Sequence, residues 1–246
     1  MVTARASFAS TVGLIRNLNE DAHGIGGLNP ECGDGSVRSE MVTADFLIAV
    51  VADGLGGHPC GDVASRLAVQ SVLSAMPTNA IELRNAIEAA NSEMYVAMAS
   101  RPGCSRMGST IAVVLMNNKE LILANVGDSA IFDFSHERLE LLSTPDVEGD
   151  AGPGLPGLPR ARITRALGGR AEFTDVELSV CVRPRSGSQR VLLCTDGLTD
   201  YVPVTKIGDI LRGAEGSEAV AALLGAVFDA GAPDNMTVQL IETVDA

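Results

Sequence analysis

Tryptophan is absent from this 246-residue chain, and aromatic residues make up only 3% of it. A core of that size without rings must be built from aliphatic side chains, which the 46% hydrophobic content supplies. Basic residues are scarce as well: 18 Lys and Arg stand against 31 Asp and Glu, for a net charge of −13. Coulomb repulsion therefore argues against nucleic acid and anionic membranes as partners, and the balance suits a protein that gathers cations. Long apolar runs are missing too. Nothing approaches the roughly 20 apolar residues of a membrane span, and the longest run, "AVAALLGAVF", is broken by Gly225. The opening "MVTARASFAS" has no apolar segment of leader length. The cysteines (Cys32, Cys60, Cys104, Cys181, Cys194) show no CxxC and no paired spacing, so an odd, scattered set predicts a reducing cytoplasm.

What the chain does have is a repeated pattern. "FLIAVVADG" (46–54) and "RVLLCTDG" (190–197) are strand-like apolar runs that end in Asp followed by Gly, and "LILANVGDS" (121–129) repeats the pattern more loosely. A fourth acid, Asp234 in "APDNMTV", stands just before a last predicted strand. Taken singly, each Asp could simply cap a turn, because Asp-Gly is a common turn pair. Together they need more positive charge than the chain readily provides, since an unpaired buried carboxylate costs several kcal/mol or shifts its pKa upward. Hard divalent cations such as Mg²⁺ or Mn²⁺ are the matching partners for oxygen ligands. A Gly after Asp53 and Asp196 would let the backbone turn sharply and come close to a ligand.

Around these motifs the periodicity predicts a first strand over 4–12, a loop or ragged hairpin over 24–45 and antiparallel helices over 61–76 and 80–99, the second capped by Asn79. Strands follow at 109–116, 120–126, 130–134 and 138–142, then a Pro- and Gly-rich loop over 144–161 and a strand over 174–182. Helices over 204–212 and 217–229 precede the last strand. Alternating groups of strands and helix pairs indicate an α+β fold with helices covering sheet faces.

In order along nearly the whole chain, "RNLNEDA" (16–22), "VADGLGGHPCGDVAS" (51–65), "GST" (108–110), "NVGDS" (125–129), "TRALG" (164–168), "CTDGLTD" (194–200) and "DNMT" (234–237) resemble the metal-dependent protein phosphatases, the PPM or type 2C serine/threonine phosphatases, in their bacterial form. The resemblance implies one catalytic domain over 1–246, with a central antiparallel β-sandwich flanked by pairs of antiparallel helices in four layers, α-β-β-α. No sensor or tether is expected. It implies that Asp53, Asp196 and Asp234 hold one Mg²⁺ or Mn²⁺. Asp53 would bridge to a second ion, which also takes the Gly54 carbonyl and, through waters, Glu20 and Asp21. Asp128 with Asp196 resembles a third-metal position. Arg16 would grip the substrate phosphate.

The implied activity is hydrolysis of phosphoserine and phosphothreonine in proteins by a water activated between two metals. The implied partners are phosphoproteins and a cognate serine/threonine kinase, with the phosphatase a cytoplasmic monomer. His58 is either the general acid for the leaving alkoxide or a histidine that orders its loop. His23 reads as a packing or hydrogen-bonding residue. Two alternatives stay open: a phosphoprotein-binding module without turnover, and a metal hydrolase of small phosphorylated metabolites. Ala130 stands where the family often has Arg, and the 144–161 segment, in the place of a substrate-facing flap, is short.

Overall fold

The computed structural model describes residues 1–26, 33–148, 162–185 and 187–244. In chain order it contains β1 (Val2–Thr11), β2 (Asp21–Ile25), β3 (Arg38–Ala44), β4 (Leu47–Asp53), α1 (Gly61–Ala75) and α2 (Ala80–Ser100). Next come β5 (Gly108–Ser109), β6 (Ile111–Met116), β7 (Glu120–Val126), β8 (Ala130–Ser135), β9 (Arg138–Leu141), β10 (Val147–Glu148), β11 (Arg162–Ile163) and β12 (Leu167–Gly168). The remaining elements are β13 (Ser179–Pro184), β14 (Arg190–Cys194), α3 (Asp196–Thr199), α4 (Val204–Gly213), α5 (Gly216–Asp229) and β15 (Met236–Thr243).

Two antiparallel sheets form the centre, in the orders β3-β1-β15-β14-β8-β9 and β13-β7-β6-β4-β2. Their facing sides meet in one aliphatic layer that includes Ala4, Ala6, Leu47, Val51, Val114, Val191 and Leu193. The outer side of the five-stranded sheet is covered by α1 and α2, through Ile48, Val50, Ala68 and Ile87. The outer side of the six-stranded sheet is covered by α4 and α5, through Leu192, Leu211, Val220 and Leu223. The result is the four-layer α-β-β-α arrangement, and it explains the unbroken apolar runs. In β4, Leu47, Ala49 and Val51 point into the sandwich while Ile48, Val50 and Ala52 point to the helices, so neither face can be polar.

Asn79 caps α2 as the sequence predicts: its side-chain oxygen accepts from the backbone N–H of Ile81 and of Glu82, at 3.1 and 3.0 Å. The segment before β13 differs, because pairing with β7 begins only at Ser179 and 174–178 lie outside the strand. Residues 149–161 of the Pro- and Gly-rich segment, and Cys32, lie outside the described residues.

The cysteine reading is corrected. Cys60 and Cys104 form a disulfide, with Cα atoms 5.5 Å apart. Cys60 is the N-cap of α1 and Cys104 follows the C-terminus of α2, and two antiparallel helices bring those ends together. The 44-residue separation held no pairing signal, because helix geometry sets the meeting point and not the spacing. Cys181 and Cys194 are free, Cys194 fully buried. Among the described residues, no helix is long and apolar enough to cross a membrane.

Candidate active site

Each strand-end carboxylate is delivered to the same edge of the sandwich. Asp53 closes β4 and lies directly across from Asp21, which opens β2. Asp196 follows β14, Asp234 precedes β15, and those two strands are neighbours in the other sheet. Asp53, Asp128, Asp196 and Asp234 line one cleft of about 1030 Å³ with Arg16, Glu20 and His58. Asp21 lies behind this wall, almost fully buried.

Like charges facing each other across a strand pair repel, and burial strengthens the effect. Burial is the first cause that pushes the Asp21 carboxyl up to about 7, against hydrogen bonds from Thr237 and Thr195, while Asp196 and Asp234 push further up. Asp53 is held well above the usual carboxylate range, first by burial, then by the charges of Asp21, Asp196 and Asp128 and by a hydrogen bond to Asp196. Glu20 is raised by burial and partly relieved by Arg16. One Asp21 oxygen (Oδ1) has no hydrogen-bond partner.

Hydroxyl and amide side chains fix this acidic set, and most of them escaped sequence reasoning. The Asp53 N–H donates to Thr110 Oγ1 at 2.9 Å, and the Asp53 carbonyl accepts from Ser109 Oγ at 2.9 Å. Thr110 Oγ1 lies 2.7 Å from Ser129 Oγ, which ties the Asp53 strand to the turn bearing Asp128. Thr195 Oγ1 donates to Asp21 Oδ2 at 2.9 Å and accepts from the Thr237 N–H at 3.0 Å, joining the two sheets beneath the cleft. Asn235 accepts from the Glu20 N–H at 2.8 Å and donates to the Val12 and Leu18 carbonyls, so it holds the loop that bears Arg16 and Glu20. Only the "DN" of "DNMT" pointed to it.

Asp146 accepts from the Gly127 N–H at 3.0 Å and from Arg165 at 2.9 Å. The Asp128 turn is thus anchored from Asp146 and Arg165, and Ala130 itself packs under the helices of the six-stranded sheet.

The two glycines after aspartates are required by space. A Cβ on Gly54 would stand 2.3 Å from the Gly61 carbonyl oxygen, and one on Gly197 would stand 1.8 Å from the Asn235 carbonyl oxygen. Neither glycine has a positive φ. Backbone meets backbone there, and α1 and β15 could not close on the site past a side chain.

Arg16 grips Asp234 with two contacts, Nε–Oδ1 at 2.8 Å and Nη2–Oδ2 at 3.0 Å. Among the described residues, no three His, Cys, Asp or Glu side chains form a closed ligand set. Hard cations that keep part of their water shell do not need a closed cage. His58 pairs through Nδ1 with the Arg106 carbonyl oxygen at 2.7 Å, so Nδ1 carries a proton and Nε2 is left to exchange one. His23, by contrast, is buried, pushed down to about 4 chiefly by burial, and bonded to Gln239.

A sequence model described as protein phosphatase 2C matches residues 32–245. The chain belongs to the protein phosphatase 2C family. It is 31% identical to the serine/threonine phosphatase stp of Listeria welshimeri, over 96% of this chain and 95% of that protein. The crystal structure of the Mycobacterium tuberculosis serine/threonine phosphatase PstP/Ppp superposes with a TM-score of 0.79 at 27% identity, covering 98% of this chain and 99% of that one. The catalytic domain of PstP in complex with two manganese ions superposes with a TM-score of 0.78 at 27% identity, covering 99% and 100% of the two chains. The protein is therefore a PPM-type serine/threonine phosphatase of the bacterial kind, with a sandwich flanked by helices.

Proposed function

We propose that residues 1–246 act as one catalytic unit that dephosphorylates phosphoserine and phosphothreonine in proteins with two hard divalent cations, Mg²⁺ or Mn²⁺. The observation behind this reading is the convergence of Asp53, Asp128, Asp196 and Asp234 on one cleft, with Asp21 buried directly across from Asp53, a cluster whose repulsion a cation relieves. Asp53, Asp196 and Asp234 would hold one ion. Asp53 and the Gly54 carbonyl would hold the second, with Glu20 and Asp21 through waters, and Asp128 with Asp196 suits a third. Such ions supply, when bound, Lewis acidity and a water of lowered pKa for attack on phosphorus.

The chain's own residues do the rest. Arg16, whose planar fork already holds one carboxylate, is matched to the phosphoryl oxygens and would exchange Asp234 for them. His58, kept in register by the Arg106 carbonyl, would hand a proton from Nε2 to the leaving alkoxide. The natural partner would be a serine/threonine kinase acting on the same proteins, with the phosphatase a monomer. A cytoplasmic setting is the proposal from the sequence, against which the Cys60–Cys104 disulfide weighs.

The test is manganese-dependent phosphate release from phosphoserine and phosphothreonine peptides beside sugar phosphates and nucleotides. Faster turnover of the peptides is expected. Preference for the small metabolites, or binding of phosphopeptides without turnover, overturns the reading.

Metal dependence should also appear in stability. Because burial pushes the folded Asp21 carboxyl up to about 7, above its ordinary value of 3.8, the folded protein binds the extra proton between them. Its contribution is fully present below the lower value and lost as pH rises through about 7. Melting temperature without metal is expected to fall between pH 5.5 and about 7.5. Mn²⁺ at about 100 times its Kd would add about 2.7 kcal/mol, roughly 5–10 °C for a domain of this size. Scanning fluorimetry with and without a chelator checks both signs.

A further inference from the structure

Basic residues are outnumbered in this acidic chain, yet Arg16, Arg106, Arg162, Arg165 and Arg170 all line the catalytic cleft. Arg16 is engaged by Asp234, and Arg165 by Asp146 and Glu177. Among the described residues, no ion pair engages Arg106 or Arg170.

The backbone places these two side by side. β5 and β12 pair antiparallel, Ser109 with Leu167 and Gly108 with Gly168, and the ladder continues where the Gly169 N–H donates to the Met107 carbonyl at 2.9 Å. Arg106 and Arg170 are the residues next to that last bond, Arg106 in a turn and Arg170 in a bend, and both line the cleft. Two like charges held close to one backbone contact repel.

The fold nevertheless holds Arg106 firmly. The disulfide anchors its loop at Cys104, its N–H donates to the Cys104 carbonyl at 3.0 Å, and its carbonyl accepts from His58. Its φ of 151° is a backbone conformation rare for a residue with a side chain, and such strain persists only where the surroundings impose it. Two guanidinium groups on a substrate cleft, one of them on a strained backbone, are what an anion would reconcile, because each group is a fork for carboxylate or phosphate oxygens.

We infer that Arg106 and Arg170 form a second anion subsite, which takes an acidic group of the phosphoprotein a few residues from the phosphoserine or phosphothreonine. This inference rests on the phosphatase reading above. The occupant is a carboxylate or a second phosphoryl group, and the site selects among phosphoproteins by their neighbouring acidity. The Cys60–Cys104 disulfide belongs to the subsite, since it fixes the loop that presents Arg106.

The experiment uses the full chain with Mn²⁺ and three phosphopeptides that differ only in one flanking residue: Glu, phosphoserine or Gln. The protein is expected to favour one or both acidic peptides over the Gln peptide about tenfold in kcat/KM, through KM, and less so at high salt. Whichever acidic peptide is favoured identifies the occupant. Arg106→Ala with Arg170→Ala should reduce the preference to within about twofold, and Cys60→Ser with Cys104→Ser should erode it in the same direction. No acidic preference in the unaltered protein, or full preference kept in the double arginine variant, overturns the proposal. If the double variant does not fold, Arg170→Gln alone is read against the same ratios.

Non-hydrolysable phosphonate versions of the peptides, measured by calorimetry, separate the two failures. Absence of turnover with the acidic preference intact in binding refutes the phosphatase reading alone. Turnover without the preference refutes the subsite alone.

Discussion

Asp53→Asn is expected to lower kcat/KM for a phosphopeptide by about 10³-fold or more, a loss of about 4 kcal/mol of transition-state stabilisation. The change is nearly isosteric and leaves the Asp53 backbone clamps from Thr110 and Ser109 in place, so the fold should survive. What it removes is one negative charge at the point where Asp21, Asp196 and Asp128 all act. Stability should therefore move opposite to activity. Without metal the variant is expected to melt higher than the unaltered protein at pH 7.5, because a buried like-charge contact is gone. With Mn²⁺ it should gain less. Steady-state kinetics over a manganese titration, together with melting curves in chelator, read both effects. Activity within tenfold of the unaltered protein would remove Asp53 from the mechanism.

The second large effect concerns packing. Gly197→Ala would put a methyl group 1.8 Å from the Asn235 carbonyl oxygen, far inside contact distance. Neither partner can yield easily. Gly197 lies in α3 directly after Asp196, and Asn235 is tied to Glu20, Val12 and Leu18. Relief would need Asp196 and Asp234 to part, so stability and metal response should fail together. A loss of about 3 kcal/mol or more is expected, above the ordinary range for overpacking. Gly225→Ala is the matched control, since Gly225 sits within α5 with nothing within 4 Å of an added Cβ. There the same substitution should stabilise by about 0.5–1 kcal/mol, as Ala is the better helix former. Denaturant unfolding of both variants checks the opposite signs, and a mild Gly197→Ala phenotype would contradict the close approach of α3 to β15.

The legible parts of this protein were those set by periodicity and by strand ends. Runs such as 47–53 and 190–194 read as strands because cover on both faces leaves no place for a polar residue. The acids at their ends pointed to one another because a carboxylate there must meet something positive. Long-range partners were not legible. Asn235 holds a loop more than two hundred positions earlier in the chain, and nothing local in "DNMT" says which backbone groups it will reach. Thr195 looked like one more residue before an Asp, and its bridging of the sheets depends on Asp21, at the start of β2 in the other sheet, coming to lie against it. The disulfide escaped for the same reason, although the antiparallel helix pair that makes it possible was visible. The strand start at 174 was misplaced because 174–178 has strand-like character but no partner on β7.

The pairing of β1 with β15, Ala4 against Thr243 through Thr11 against Met236, sets the timing of maturation. During synthesis β1 must wait, unpartnered on that side, until β15 has been made more than two hundred residues later, and Asp234 arrives only just before it. The acidic set of the cleft therefore cannot be complete before those residues emerge.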